Sequence, residues 1–234
     1  MATDSISSYV VDPDGSAEGP TVIPSSGATP YGFDFTRAGV LVVTEAAGGK
    51  PGAASASSYA LAGPGSLSLV SGSVADTRSE VCWATVTPDN RHVYVTNFGD
   101  GTISSYTIAA DGGLELLQPL AGTTVEGQKG VRDEALSRDG RYLFALHADV
   151  QQLFGWQVDQ DGSLTPVGAF GDLPTTVAGL AAGWSLWPAP TGLAPVARGR
   201  RLSVTDGGAQ PVHQVHPAKR PPTSATFVGG VLVW

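Results

Sequence analysis

Glu45, Asn97 and His147 stand at matching points of a repeated pattern, each just past an alternating apolar run ending at Thr44, Thr96 or Leu146. Hydrolysis at an activated carbonyl needs a base that takes a proton from water and donors that hold the developing oxyanion. Glu45 and His147 have the chemistry of the base, and Arg132, Arg78 and Asn97 that of the donors. The expected catalytic set is therefore Glu45, His147 and Arg132, with Asn97 and Arg78 as substrate-binding residues. Lys50, Glu80, Asp100, Lys129, Asp133, Glu134 and Asp149 are read as falling in the same connections. The competing reading of each is a solvated charge or a tie between loops.

The elements that would position these residues repeat. Asp89 with Asn90 and Asp111-Gly112 mark two turns in one copy, and Asp139-Gly140 and Asp161-Gly162 mark them in the next. The turns lie 22 residues apart within each copy, and the copies are displaced by 50. Asp-Gly between alternating apolar runs is a strong hairpin signal. A third copy precedes these, with turns around Ala38-Gly39 and Gly63-Pro64-Gly65, and half a unit precedes that, turning at Asp14-Gly15. An aromatic recurs in the third strand at Tyr9, Tyr59, Tyr106 and Trp156, spaced by 50, 47 and 50. Four strands in about 45–50 residues is the period of a β-propeller blade. The expected fold is all-β: a partial β-propeller of three full four-stranded blades plus half a blade, over residues 1–182, with an irregular tail at 183–234. The two short turns of each blade share one face, so the longer connections, and with them the candidate residues, share the other.

Propellers close with about 4–8 blades. An open stack leaves edge strands unpaired, so the chain reads as a piece of a longer protein or as one that self-associates through its open edges. The tail loses the repeat, and its prolines remove ladder donors; it reads as a shifted reading frame, a fused foreign segment or disorder.

Net charge is −8, yet residues 183–234 carry five cations and one acid, leaving eight cations and 20 acids in the first 182. Such an acidic body disfavours a nucleic-acid partner, whose affinity rests on cations neutralising phosphates. Cys82 is the only cysteine, which excludes an intrachain disulfide and a cysteine-based metal cluster; within Val81-Cys82-Trp83-Ala84 it is expected to be a buried small hydrophobe. No run approaches the roughly 18 apolar residues that span a bilayer, and the first residues lack the charged and apolar regions of a secretory signal. No membrane partner and a cytoplasmic location are the expectation.

Further residues carry a resemblance. Tyr94-Val95-Thr96-Asn97 spells the tetrapeptide of the YVTN propeller repeat. Thr29-Pro30-Tyr31-Gly32-Phe33, Val43-Thr44-Glu45-Ala46-Ala47-Gly48-Gly49, Ser137-Arg138-Asp139-Gly140-Arg141 and Asp161-Gly162-Ser163-Leu164-Thr165-Pro166 resemble the lactonase family of seven-bladed propellers, similar to 6-phosphogluconolactonase. The resemblance covers about residues 3–182 and corresponds to that family's C-terminal blades. It implies a small-molecule lactone or sugar ligand, metal-free hydrolysis and no cofactor. The other reading is a non-catalytic binding or scaffold propeller, or an inactive fragment. Glu45 lies inside a family-like stretch and is the foremost candidate. The chain has no Gly-x-Ser-x-Gly elbow, phosphate loop, zincin motif or dinucleotide fingerprint. His213 and His216 have no third ligand nearby, and the loop Gly48-Gly49-Lys50-Pro51-Gly52 reads as a flexible connection rather than an anion cradle.

Overall fold

A computed structural model describes residues 4–182 and the strands at 202–206, 224–228 and 231–233. The chain meanders through antiparallel sheets. After β1 (Ser5–Val11) and β2 (Ala17–Pro24) come three four-stranded sheets whose strand order follows the chain. They are β3 (Pro30–Phe35), β4 (Val40–Glu45), β5 (Ser55–Gly63) and β6 (Ser66–Ala75); then β7 (Val81–Val86), β8 (His92–Asn97), β9 (Thr102–Ile108) and β10 (Leu114–Thr123); then β11 (Val131–Leu136), β12 (Tyr142–His147), β13 (Gln152–Val158) and β14 (Leu164–Phe170).

β15 (Val177–Ala182) pairs with β16 (Leu202–Asp206). Beyond the half unit visible in the sequence, β17 (Ser224–Val228) pairs antiparallel with β1 and β18 (Val231–Val233) with β17. The histidines His213 and His216, and the rest of the expected irregular tail, lie outside the described residues.

The apolar pattern explains why the sheets stack. Along β8, Val93 and Val95 pack with Val42, Ala54 and Ala56 of the preceding sheet, whereas Tyr94 packs with Val131, Leu143 and Ala145 of the following one. Along β12, Leu143 and Ala145 face back, and Phe144 and Leu146 face forward to Val177. A strand apolar on both faces is buried only by a neighbour on each side. Consecutive first strands, β3, β7, β11 and β15, therefore pack against one another at the inner edge. The fourth strands lie outermost and expose Val22, Leu69, Leu120 and Phe170. This is the radial fan of a propeller.

The turns repeat at atomic detail. At the turn into the outermost strand of three of the four-stranded sheets, Gly15, Gly112 and Gly162 donate to the carbonyls of Asp12, Ala109 and Asp159 at 2.9, 2.9 and 3.0 Å. In each, the aspartate before the glycine accepts a backbone N–H two residues on: Asp14 from Ser16, Asp111 from Gly113 and Asp161 from Ser163. The glycine is the fourth residue of the turn, and its positive φ leads back into the strand. The Asp-Gly pair thus fills the third and fourth positions of the turn, not its two central ones. The third-strand aromatics Tyr59, Tyr106 and Trp156 are buried, and the two tyrosine hydroxyls bond the Ser26 N–H and the Val74 carbonyl.

One core position departs from the pattern. Phe33, Ala84 and Glu134 occupy the same register, opposite Val43, Val95 and Ala145. Glu134 is 6% exposed and neither carboxyl oxygen has a hydrogen-bond partner, which corrects its expected place in a solvent-facing loop. Burial, then the charges of Asp133 and Asp34, push it well above the usual carboxylate range. Burial likewise pushes neighbouring Asp133 up to about 6, against backbone N–H bonds from Leu180 and Glu134.

Because the folded chain holds the Glu134 proton more tightly than the unfolded chain, this residue's stability contribution is complete below about pH 4 and is lost as pH rises through its folded value. Glu134→Gln should therefore match the parent in urea unfolding at pH 4 and exceed it by about 1–3 kcal/mol at pH 8. Equal stability of the two proteins across that range would contradict the assignment.

Candidate functional site

The first residue of each inner strand is buried: Pro30, Val81, Val131 and Val177. The next turns outward: Tyr31, Cys82, Arg132 and Ala178. Directly after this point every inner strand breaks register with its partner, at Pro30/Phe33, Val81/Ala84, Val131/Asp133 and Val177/Gly179. Such irregularities bend a strand and re-aim its side chains, and they concentrate beside functional sites. Here they open the inner edge of the fan on the face that also carries the longer connections. Gly32 is needed at this point, because a Cβ there would lie 2.2 Å from the Cys82 carbonyl oxygen. Thr44 Oγ1 accepts from the Gly32 N–H and lies 2.6 Å from that same Cys82 oxygen, joining β3 to β7.

The resulting mouth is aromatic and charged. The Tyr31 and Trp83 rings meet edge to face with centroids 6.0 Å apart, and Tyr31 is half exposed. The Arg132 guanidinium lies over the Phe98 ring, 5.6 Å from its centroid, and Nη2 donates to Asp149 Oδ1 at 3.0 Å. Lys129 pairs with Glu80 across two successive connections. Cys82, expected to be buried, is only partly so; burial and the charge of Glu80 push its thiol up to about 11, so at neutral pH it is a protonated, poorly nucleophilic thiol.

Glu45, Asn97 and His147 pair with Pro30, Val81 and Val131 and so occupy equivalent positions. All three are fully buried, inside the mouth rather than on it. Glu45 accepts from the Gly27 N–H at 2.7 Å, from Ser57 at 2.6 Å and from Ser55 at 2.7 Å, with Ser25 at 3.4 Å. His147 Nε2 lies 2.9 Å from the Lys129 carbonyl, which can only accept, so this nitrogen carries a proton. Nδ1 faces Thr124 Oγ1 at 3.0 Å. Both side chains tie the connection that precedes their own blade to the end of its second strand.

Asn97 instead reaches Ser104. Arg78 donates Nε to the Pro119 carbonyl on outer strand β10, away from the mouth. Of the five expected site residues, only Arg132 stands at the mouth. Tyr31, Trp83 and Phe98 were missed because an aromatic in a β-rich run reads as core. Of the three, only Tyr31 stands at the outward-turning second position of an inner strand, and no sequence signal marks Trp83 or Phe98.

A radial fan of four-stranded antiparallel meanders with the longer connections on one face defines a β-propeller. The chain belongs to the lactonase family of seven-bladed β-propellers, whose model matches residues 47–183. Among solved structures it is similar to a periplasmic gluconolactonase of Pseudomonas aeruginosa, at 20% identity and a TM-score of 0.59 over 73% of this chain and 49% of that one. It is also similar to a Bacteroides fragilis protein provisionally described as a 6-phosphogluconolactonase, at 23% identity and 0.58 over 74% and 54%. A third is a functionally unknown protein of Desulfotomaculum acetoxidans, at 18% and 0.56 over 74% and 52%. At these identities the likeness concerns the fold, and the chain spans about half the length of these proteins. Among curated proteins, none matches it. Among the described residues, no helix is long and apolar enough to cross a membrane, and no three His, Cys, Asp or Glu side chains are grouped to hold a metal ion.

Glu45→Ala should lower unfolding free energy by about 3 kcal/mol, since the charge-assisted hydrogen bonds and the Gly27 N–H lose their acceptor together. Amide exchange at residues 25–29 should accelerate with it. A solvent-facing base would lose turnover with little change in either.

Proposed function

We propose that this chain acts on sugar lactones at the inner-edge mouth, with Arg132 as the residue that holds the developing oxyanion. Membership of the lactonase family supports the reaction class. The observation that carries the site is Arg132 over Phe98, held by Asp149, with the Tyr31–Trp83 pair on the two preceding inner strands. Only one of the guanidinium's five N–H donors is committed to that carboxylate, which leaves donors for a lactone carbonyl. The aromatic pair offers an apolar face to a sugar ring.

Water adds to the carbonyl carbon while Asp149 Oδ2 takes its proton. The negative charge that gathers on the carbonyl oxygen faces Arg132. Collapse breaks the ring C–O bond, the ring oxygen leaves as a hydroxyl after taking up that proton, and the acyl carbon becomes a carboxylate with release of one proton to solvent. On this reading Glu45 and His147 are positioning residues that hold the connections around the mouth. A 6-phosphorylated sugar δ-lactone is the specific substrate to test.

A second reading, a sugar-binding propeller without turnover, is favoured by one observation: Glu45 and His147 are both buried and fully engaged.

Proton release from 6-phosphoglucono-δ-lactone, measured above the spontaneous rate, decides between them. Catalysis predicts excess release by the chain, a loss of about 10²-fold in kcat/KM for Arg132→Gln, and a raised KM for Tyr31→Ala. Release at the spontaneous rate, with lactone or gluconate binding that Arg132→Gln abolishes, supports the second reading instead.

A further inference from the structure

Arg132 leaves its strand at a point where the ladder does not hold it. Val131 pairs with His147 and Asp133 with Leu146, so Arg132 is the extra residue of the β11 irregularity and has no partner on β12. The direction of such a residue is set by how the chain is held on either side of it. In the two preceding blades the residue after the outward one is pinned from the second strand. The Gly32 N–H donates to Thr44 Oγ1 at 2.9 Å, and the Trp83 N–H donates to Thr96 Oγ1 at 3.0 Å. By register Asp133 is the equivalent of Gly32 and Trp83, and Leu146 that of Thr44 and Thr96. Leu146 has no hydroxyl, so this peg is missing in the blade whose outward residue is Arg132.

The strand carries a substitute. Asp133 Oδ2 accepts the Leu180 N–H of β15 at 2.7 Å, and Oδ1 accepts the Glu134 N–H at 2.8 Å. We propose that Asp133 is the positioning residue of Arg132: its two backbone bonds replace the missing threonine hydroxyl and fix the direction in which Arg132 leaves β11. Phe98 and Asp149 hold the guanidinium, the far end of the side chain. Asp133 holds the near end. Its bearing on turnover rests on Arg132 as the oxyanion donor, whereas its bearing on the aim of Arg132 does not. The same pair of bonds recurs away from the mouth and supplies a control. Asp34 Oδ1 accepts the Phe35 N–H at 2.7 Å and Oδ2 the Val86 N–H of β7 at 2.8 Å, close to the turn closed by Thr36 and Gly39.

The side-chain Nε–H resonance of Arg132, followed in the full chain with isotope-labelled arginine, reads its aim through the ring current of Phe98. Phe98→Leu gives the position without the ring. Asp133→Asn leaves one of the two N–H groups facing an amide that cannot accept, and should carry the resonance to the Phe98→Leu position. Asp34→Asn, which breaks a matching bond, should leave it in place. Should Asp133→Asn fail to fold, Asp133→Gly replaces it, since Gly32 fills the equivalent place in β3. With 6-phosphoglucono-δ-lactone, kcat should fall in the Asp133 variant and hold in Asp34→Asn. A resonance that neither variant moves, or that both move alike, overturns the role of Asp133; a moved resonance with kcat unchanged overturns its part in turnover. A parent chain without turnover sinks the lactone reading instead, and the resonance still decides whether Asp133 aims Arg132.

Discussion

The structure depends on strands that are apolar on both faces. In β8 and β12 consecutive side chains enter different cores, so neither strand is buried by its own sheet. Each sheet must take a neighbour on either side, and right-handed strand twist turns that stack into a fan. Once the sheets fan, the first strand of every unit is carried to the inner edge. All the first-strand starts then meet on the face with the longer connections. The location of the mouth is therefore a consequence of aliphatic patterning, settled before any polar residue is considered.

Fanned sheets still need their connections held down, and this is where the buried polar residues act. Glu45 is a carboxylate at zero exposure, tolerable because serine hydroxyls and a backbone N–H replace its water. His147 holds the 124–130 connection from beneath. Lys129, which does reach solvent, rides on the connection that His147 holds and pairs there with Glu80. Polar burial and polar exposure thus divide the work: one set fixes loops and the other faces solvent at the mouth. Glu134 belongs to neither set, standing at a core register filled by Phe33 and Ala84 elsewhere, with neither carboxyl oxygen hydrogen-bonded.

Fold was legible in the sequence because its signals are local. A turn aspartate bonds a backbone N–H two residues away, and the third-strand aromatic recurs at nearly constant spacing, so both survive in a linear reading. The register of Glu45, Asn97 and His147 was legible for the same reason. Their burial was not, because it is decided by partners far along the chain: Gly27, Ser55 and Ser57 for Glu45, and Thr124 and Lys129 for His147. Asp133 and Glu134 were grouped with the loop charges for their acidity, although the run from Val131 to Leu136 has the makings of an inner strand; both lie on β11, with a register break between Val131 and Asp133. Tyr31 and Trp83 escaped notice because nothing in a single strand tells an aromatic at the inner edge from one in the core.

The charge arrangement at the mouth also bears on the direction of the proposed reaction. Both cations there are already paired, Arg132 with Asp149 and Lys129 with Glu80. A second anion therefore meets compensated charge and two flanking carboxylates, whereas a neutral carbonyl needs only a donor, which Arg132 retains. Charge appears on that carbonyl oxygen in the tetrahedral state, where it faces the guanidinium. Once the ring opens, the new carboxylate stands beside Asp149 in a body of the same sign. Attraction rises towards the transition state and turns to repulsion in the product, the order that turnover requires.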